Sequence, residues 1–331
     1  MEPLVFEPYL RPMVWGGRKL GDRLGKILPH DGTFGESWEI SPHPHHVSRV
    51  AGGPHGGSSL LELCQSHHGD LFGKTSNPGH RFPLLIKLLD CRDLLSIQTH
   101  PSDDLAQQLA NETFGKTEAW IILEAEEGAT IYAGFQPGIT RAEVEKRLAD
   151  ETLEEILHAF TPRPGDCLFL PAGTVHAVGG GVLMAEVQQA SDATFRLYDW
   201  KRPGPDGKPR TLHVEQALQA INWEQAGPVH PIRPEQTNRS ANSHREQHLV
   251  RCPYFSLDRI VLQEAYQQSA PGRLSIWMVL HGSAGLQTGS YQKNFVEGQT
   301  VLIPASSPDF TWKPWPGSDA SLLRITLPDL P

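Results

Sequence analysis

The chain has 331 residues, 29 Lys and Arg against 38 Asp and Glu, a formal net charge of −9, and 31 glycines with 28 prolines. The length allows two core-forming units, and the acidic balance argues against nucleic acid or an anionic membrane as a partner. No apolar run approaches the roughly 20 residues of a membrane span, and the first residues, Met1 to Glu7, carry neither region of a secretory signal. The four cysteines show no CxxC spacing, so the chain reads as a cytoplasmic protein with reduced thiols.

In chain order, short apolar, strand-like runs occur at 84–89, 94–98, 119–123, 130–132, 167–170, 182–187, 255–261, 274–280, 300–303 and 321–325. Such runs between glycine- and proline-bearing turns predict a mainly β chain. Helical pattern is confined to about 59–68, 101–111, 140–160 and 211–222. Ser59 with Glu62 and Thr140 with Glu143 have capping-box spacing. Val144, Leu148, Leu153, Ile156 and Leu157 extend one apolar side as far as Phe160. Between Gly227 and His248 the chain turns polar and proline-bearing, as a connector does. A first domain over 1–240, holding the helical segments, and a second over 245–331 follow from that boundary.

An internal repeat supports two related units. Gly165-Asp166-Cys167-Leu168-Phe169-Leu170-Pro171-Ala172 and Gly298-Gln299-Thr300-Val301-Leu302-Ile303-Pro304-Ala305 share a turn glycine, an apolar strand and Pro-Ala. Extending the register sets Asp309 opposite His176, so the second copy is expected to lack metal ligands.

The first copy carries the chemistry. Gln98 and His100 alternate on one run and so share a face. Glu118 opens the run at 119–123, and His176 follows the run at 167–170. Two imidazoles, a carboxylate and an amide oxygen brought together inside a barrel would make a mixed N/O site for a divalent metal. The richer histidine cluster, His43, His45, His46, His55, His67 and His68, has no carboxylate at usable spacing and reads as a solvated Pro/Gly/Ser loop.

The stretch from Gly165 to His176 resembles the second histidine motif of the cupins, which are double-sheet jelly rolls. A narrower resemblance rests on five stretches in one order: 35–41 (GESWEIS), 94–101 (LLSIQTHP), 115–118 (GKTE), 171–176 (PAGTVH) and 191–200 (SDATFRLYDW). Together they are similar to the type I mannose-6-phosphate isomerases in their short bacterial form. Thr99 and Phe195 depart from the residues many members carry, Val and Tyr. The resemblance implies two cupin-type jelly-roll barrels, with a few short helices inserted in the first. It implies one Zn2+ per chain held by His100, Glu118 and His176 with Gln98, and interconversion of mannose 6-phosphate and fructose 6-phosphate through a cis-enediol. It further implies Glu186 as proton carrier, ten residues before Arg196, with Glu36 and a metal-bound water as the other candidates. A carrier pKa near neutrality is then expected. Arg196 and Lys116 are implied as cations at the reacting end, and Ser96, Arg196 and Arg202 at the phosphate, with Lys87 and Glu36 in the same cleft. The partner would be a small sugar phosphate and the protein a monomer or homodimer.

Two other readings stay open on the residues. Two histidines and a carboxylate also suit an Fe(II) cupin oxygenase, although Lys116, Arg196 and Arg202 serve a phosphorylated sugar better than oxygen. A non-catalytic sugar-binding cupin would need an output module, and no helix-turn-helix or basic stripe is present.

Overall fold

In a computed structural model, which describes residues 1–73, 81–204, 207–234 and 244–328, these short strands assemble into four antiparallel sheets. No helix among the described residues is long and apolar enough to cross a membrane. The chain divides into two compact units, Leu10–Trp38 with Leu84–Arg233, and Met1–Tyr9 with Glu39–Pro83 and Pro234–Pro331. This differs from a single boundary near residue 240. In the second unit Leu4 and Leu302 exchange both backbone hydrogen bonds (2.8 and 2.9 Å), Ala305 donates to Leu71 O (3.0 Å) and Ser306 to Asp70 O (2.9 Å). Bonds of this kind join segments some 230 to 300 residues apart, which no linear boundary registers. Of the expected connector, residues 235–243 lie outside the described residues, and a strand begins at His244.

The first barrel is built from β1 (Tyr9–Arg11), β2 (Glu36–Ile40), β3 (Leu84–Cys91), β4 (Ile97–Thr99), β5 (Glu118–Ala125) and β6 (Ile131–Phe135). It is completed by β7 (Leu157–Phe160), β8 (Cys167–Leu170), β9 (His176–Val178), β10 (Val182–Gln189) and β11 (Phe195–Tyr198). One sheet runs β1-β2-β3-β10-β5-β8 and the other β11-β4-β9-β6-β7. Central β3 and β10 are buried along their whole lengths. Leu89, Trp120, Ile122, Ile131, Leu168, Val178 and Met184, drawn from both sheets, form one apolar core between them. The outer face of the five-stranded sheet is covered by the helices Arg141–Ala149 and Val214–Ala220, whose Val144, Ala217 and Leu218 pack on Ile97, Ala177 and Leu197.

The capping box at Ser59 is complete, whereas at Thr140 only the side-chain half forms, the Glu143 carboxylate being engaged by Arg147 instead. Ser59 N donates to Glu62 Oε2 (2.7 Å) while Glu62 N donates to Ser59 Oγ (3.2 Å), and Thr140 Oγ1 accepts from Glu143 N (3.4 Å). The helix expected to reach residue 160 is shorter. It ends at Ala149, the backbone reverses through Glu151 at φ +58, and a 3-10 turn Leu153–Ile156 leads into β7. Leu153, Ile156 and Leu157 still join Val144 in one cluster, so the apolar pattern reports a shared destination rather than a continuous helix.

The second barrel comprises β12 (His244–Arg251), β13 (Ser256–Leu262), β14 (Tyr266–Gln268), β15 (Ser275–His281), β16 (Ser283–Thr288), β17 (Tyr291–Val296), β18 (Thr300–Ile303), β19 (Phe310–Pro314) and β20 (Ala320–Thr326). Its sheets run β12-β13-β20-β15-β18 and β14-β19-β16-β17. Trp277, Phe295, Phe310 and Trp312 fill the interior. Trp277 pairs in register with Val301 on one side and Arg324 on the other, and Arg324 pairs with Asp258. Burial alone would raise the Asp258 pKa. Hydrogen bonds from His248, Arg251 and Arg324 outweigh it and hold that carboxyl below its usual range.

Two predictions follow from these placements. Gly134, at the bulge of β6, has φ +74, and a Cβ there would sit 1.9 Å from Gly227 O. Gly134→Ala should lower stability by roughly 2 kcal/mol or more, read as a reduced urea midpoint. The depressed Asp258 pKa makes its stabilising contribution complete above the ordinary carboxylate range, about pH 4, and lost as pH falls through the lowered value. Asp258→Asn should therefore be less stable at neutral pH, and its stability should fall less steeply with acid than that of the unaltered protein.

Candidate active site

Strand parity decides which side chains enter the first barrel. Alternate residues share a face, and Leu89, Trp120, Ile122, Val178 and Met184 belong to the core between the sheets. The same parity turns Lys87, Glu118, His176 and Glu186 inward. On β4 and β11, Ile97, Phe195 and Leu197 belong to the outer cluster, which leaves Gln98 and Arg196 facing in. Register then brings them side by side: Glu186 pairs with Lys87 and Trp120, and Gln98 with His176 and Arg196.

His100, Glu118 and His176 converge, each with a potential ligand atom within 4.8 Å of the others'. His176 Nε2 lies 3.3 Å from Glu118 Oε1 and His100 Nε2 3.5 Å from Glu118 Oε2. Each imidazole is oriented from behind by a backbone carbonyl. His100 Nδ1 donates to Ala193 O (2.7 Å) and His176 Nδ1 to Thr174 O (3.0 Å). A carbonyl can only accept, so the proton sits on Nδ1 and the Nε2 lone pair faces Glu118. Burial, with Lys116 adding to it, holds His100 far below its usual pKa and lowers His176 to about 3, so both rings are neutral. Burial also raises Glu118 to about 7 against the opposing pull of Lys116. Both Glu118 oxygens are buried and lack a formed hydrogen bond, Oε2 being ion-paired with Lys116. Two neutral imidazoles with inward lone pairs and a carboxylate whose oxygens lack formed hydrogen bonds make a donor set that fits a divalent cation. Gln98 stands beside it, with Nε2 3.4 Å from His176 Nε2 and Oε1 accepting from Ser96 Oγ (3.0 Å). In this orientation the amide nitrogen, not the expected oxygen, faces the triad, and a half-turn of the amide exchanges the two.

Lys116 and Gln98 touch the triad and also line a cavity of about 180 Å³. Lys116 Nζ is 3.1 Å from Glu118 Oε2 and 3.2 Å from His100 Nε2. Arg11, Lys87, Arg196 and Arg210 add cationic groups to the wall, and Glu36, Glu186 and Asp192 acidic ones. Lys87 Nζ pairs with Glu186 Oε2 at 3.2 Å, both side chains under 5 % exposed, and Trp120 Nε1 donates to Glu186 Oε1 (3.1 Å). Burial would raise the Glu186 pKa, but Lys87 and Lys116 together outweigh it and keep it below the usual carboxylate range. The expectation of a carrier poised near neutrality is not met. Glu36 Oε2 accepts from Trp38 Nε1 (2.7 Å) and Arg11 (3.0 Å), and Arg11 also reaches Asp192 (3.2 Å).

Of the residues expected in the cleft, Ser96, Lys87, Glu36, Glu186, Lys116 and Arg196 line the cavity, and Arg202 does not. Its guanidinium is engaged by Asp199 Oδ1 (3.1 and 2.7 Å) and by Leu94 O. Arg210 takes its place on the wall. Arg11, Trp120, Asp192 and Arg210 went unrecognised in the sequence. Only Asp192 lay inside a recognised motif, and the strand parity shared with Glu118 was the one local signal for Trp120.

Two other clusters resolve differently. The histidines of the 43–68 region are not uniformly solvated: His43 is buried with its ring 4.6 Å from that of His45, and His46 stacks on Tyr9. In the second barrel, expected to lack ligands, Glu246, His248 and Asp258 do gather three donors. Arg324 and Arg251 already pair with these carboxylates, and His248 Nδ1 donates to Asp258 (2.6 Å), so the charge a metal would neutralise is met by guanidinium groups.

Residues 5–163 match the family model for the catalytic domain of type I phosphomannose isomerase. The chain is 34% identical to the mannose-6-phosphate isomerase ManA of Bacillus subtilis over 309 residues, 93% of this chain and 95% of the relative. It is 33% identical to the mannose-6-phosphate isomerase of Streptococcus mutans, with 92% of each chain covered. The crystal structure of the Bacillus subtilis mannose 6-phosphate isomerase superposes with a TM-score of 0.87 at 32% identity, covering 99% of this chain and all of that one.

The geometry separates the two donor clusters experimentally. His176→Ala should weaken retention of a divalent metal by at least roughly a hundredfold in chelator competition, more than loss of an outer partner does. His248→Ala should leave retention unchanged.

Proposed function

Because the chain belongs to the type I phosphomannose isomerases, we propose that it interconverts mannose 6-phosphate and fructose 6-phosphate in the cavity of the first barrel, with one zinc ion held by His100, Glu118, His176 and Gln98. It is an aldose–ketose isomerase, so the oxygenase and non-catalytic readings fall away. The observation that carries the placement is the buried Glu118 carboxylate, ion-paired with Lys116 but without a formed hydrogen bond, between two neutral imidazoles and next to a wall of cations. A zinc ion there would supply Lewis-acid polarisation of the substrate carbonyl.

The protein's own groups do the rest. Glu186 is the proton carrier, taking the proton from C2 and returning it to C1. Trp120 fixes Glu186 Oε1, while Oε2, ion-paired with Lys87 but without a formed hydrogen bond, is the oxygen left to receive the proton. Lys87 keeps the carboxylate ionised between turnovers. Lys116 offers an ammonium to negative charge developing on the sugar oxygens. Ser96 and Arg196 bind the phosphate, the guanidinium fork matching its oxygens, and Glu36 orients Arg11. A cytoplasmic setting accords with four cysteines that all remain thiols, three of them buried.

Glu186→Gln should retain metal and lose isomerisation by about 10²–10⁴-fold, the range that general acid–base catalysis supplies. Metal analysis alongside fructose 6-phosphate formation checks both halves, and near-normal turnover would remove Glu186 from the role. Chelator-treated protein reloaded separately with zinc, iron, manganese or cobalt should recover most activity with zinc, and preferential recovery with another ion would replace zinc in the assignment.

A further inference from the structure

Asp199 gathers two guanidinium groups that it treats differently. Arg202 reaches Oδ1 through Nε (3.1 Å) and Nη2 (2.7 Å) while its Nη1 donates to Leu94 O. Arg210 straddles the carboxylate, Nε to Oδ2 (2.6 Å) and Nη2 to Oδ1 (2.5 Å). Only Arg210 lines the cavity, beside Arg196, Ser96 and Thr194. Arg196 Nε is buried with no hydrogen-bond partner. Arg196, Arg202 and Arg210 gather near Asp199, with Asp192 the other acidic group acting on Arg196, so positive charge exceeds negative at this end of the cavity, and two of the three line it.

The backbone beneath is held in an uncommon conformation. Trp200 and Lys201 both take left-handed φ, +56 and +54, which non-glycine residues adopt only where surrounding contacts enforce it. Those contacts are visible. Trp200 Nε1 donates to Leu95 O (2.6 Å) and Arg202 to Leu94 O, so the turn is fastened to the segment that leads into Ser96.

We propose that Asp199 is a positioning residue that sets Arg210 beside Arg196 as a two-arginine clamp for the substrate's phosphate, while Arg202 serves to fasten the turn. This rests on the isomerase reading above. A dianionic phosphate matches two adjacent guanidinium groups. Arg210 touches the substrate, and Asp199 acts through it by fixing the fork in a single direction.

Turnover of mannose 6-phosphate by the unaltered protein tests the underlying reading, and its absence would end that reading rather than this one. With turnover present, Arg210→Ala should raise both KM for mannose 6-phosphate and the inhibition constant for inorganic phosphate at least roughly tenfold, the loss of one charged hydrogen-bonded contact, with a smaller change in kcat. Asp199→Asn should follow it in KM and phosphate inhibition, and Arg210→Lys should recover part of both. KM and phosphate inhibition at wild-type values in the Arg210 and Asp199 variants would overturn the proposal. Labelling of arginines by phenylglyoxal in the unaltered protein, mapped by mass spectrometry, does not depend on how variants fold. Inorganic phosphate should shield Arg196 and Arg210 but not Arg202, and equal labelling of Arg210 with and without phosphate would refute the clamp.

Discussion

Lys87 and Glu186 face each other across the two central strands of the first barrel, 3.2 Å apart and almost wholly shut off from water. Burying two charges is costly, and removing either partner alone typically costs about 3–5 kcal/mol because the other is left uncompensated. The barrel therefore surrounds the pair. Trp120 donates to Glu186, the Trp38 ring lies 5.4 Å from the Lys87 ammonium, and Asp192 approaches that ammonium to 3.9 Å. A slip of one residue between β3 and β10 would turn one of the pair out of the interior. The interaction that fixes the register is thus the one that leaves a carboxylate ionised in the cavity.

The His100, Glu118 and His176 triad depends on a second layer of the same kind. Ala193 O and Thr174 O belong to loops beside the sheets, and each determines which nitrogen of a histidine carries the proton. Lys116, close to both Glu118 and His100, supplies positive charge next to a carboxylate that would otherwise stand alone in a low-dielectric interior. The donor set is arranged by the fold itself, and its neutral rings need lose no proton before they can coordinate.

How much of this was legible depended on how local each signal was. Gln98 and His100 could be read as sharing a face because the period of a strand is two, and the Ser59 and Thr140 caps because they act over three residues. Strands as short as His176–Val178 and Tyr266–Gln268 carry too few residues for a pattern. The helix after Thr140 was overdrawn because Leu153, Ile156 and Leu157 reach the same cluster after the chain has reversed. Arg202 and Arg210 are chemically alike and eight residues apart, and only the direction of the Asp199 turn decides which one meets the cavity. The pKa direction at Glu186 likewise needed Lys87 to be placed opposite it. The joining of residues 1–9 to the C-terminal unit rests in part on the backbone bonds between Leu4 and Leu302, which side-chain pattern does not encode.

Aligning Gly165 with Gly298 sets Leu168 against Val301, and their strand partners Trp120 and Trp277 then coincide. The next strand over brings Glu186 against Arg324, and the one beyond it Lys87 against Asp258. Each half of the molecule keeps an acid–base couple beside its central tryptophan, but with the polarity reversed. Ser275, whose hydroxyl accepts from the indole N–H of Trp277, stands where the first half has Glu118. What the two halves hold in common is the brace, not the reaction. Between the two copies, it is the first whose couple places its acid, Glu186, on the strand next to the one that carries Glu118, where the second copy sets Arg324 beside Trp277.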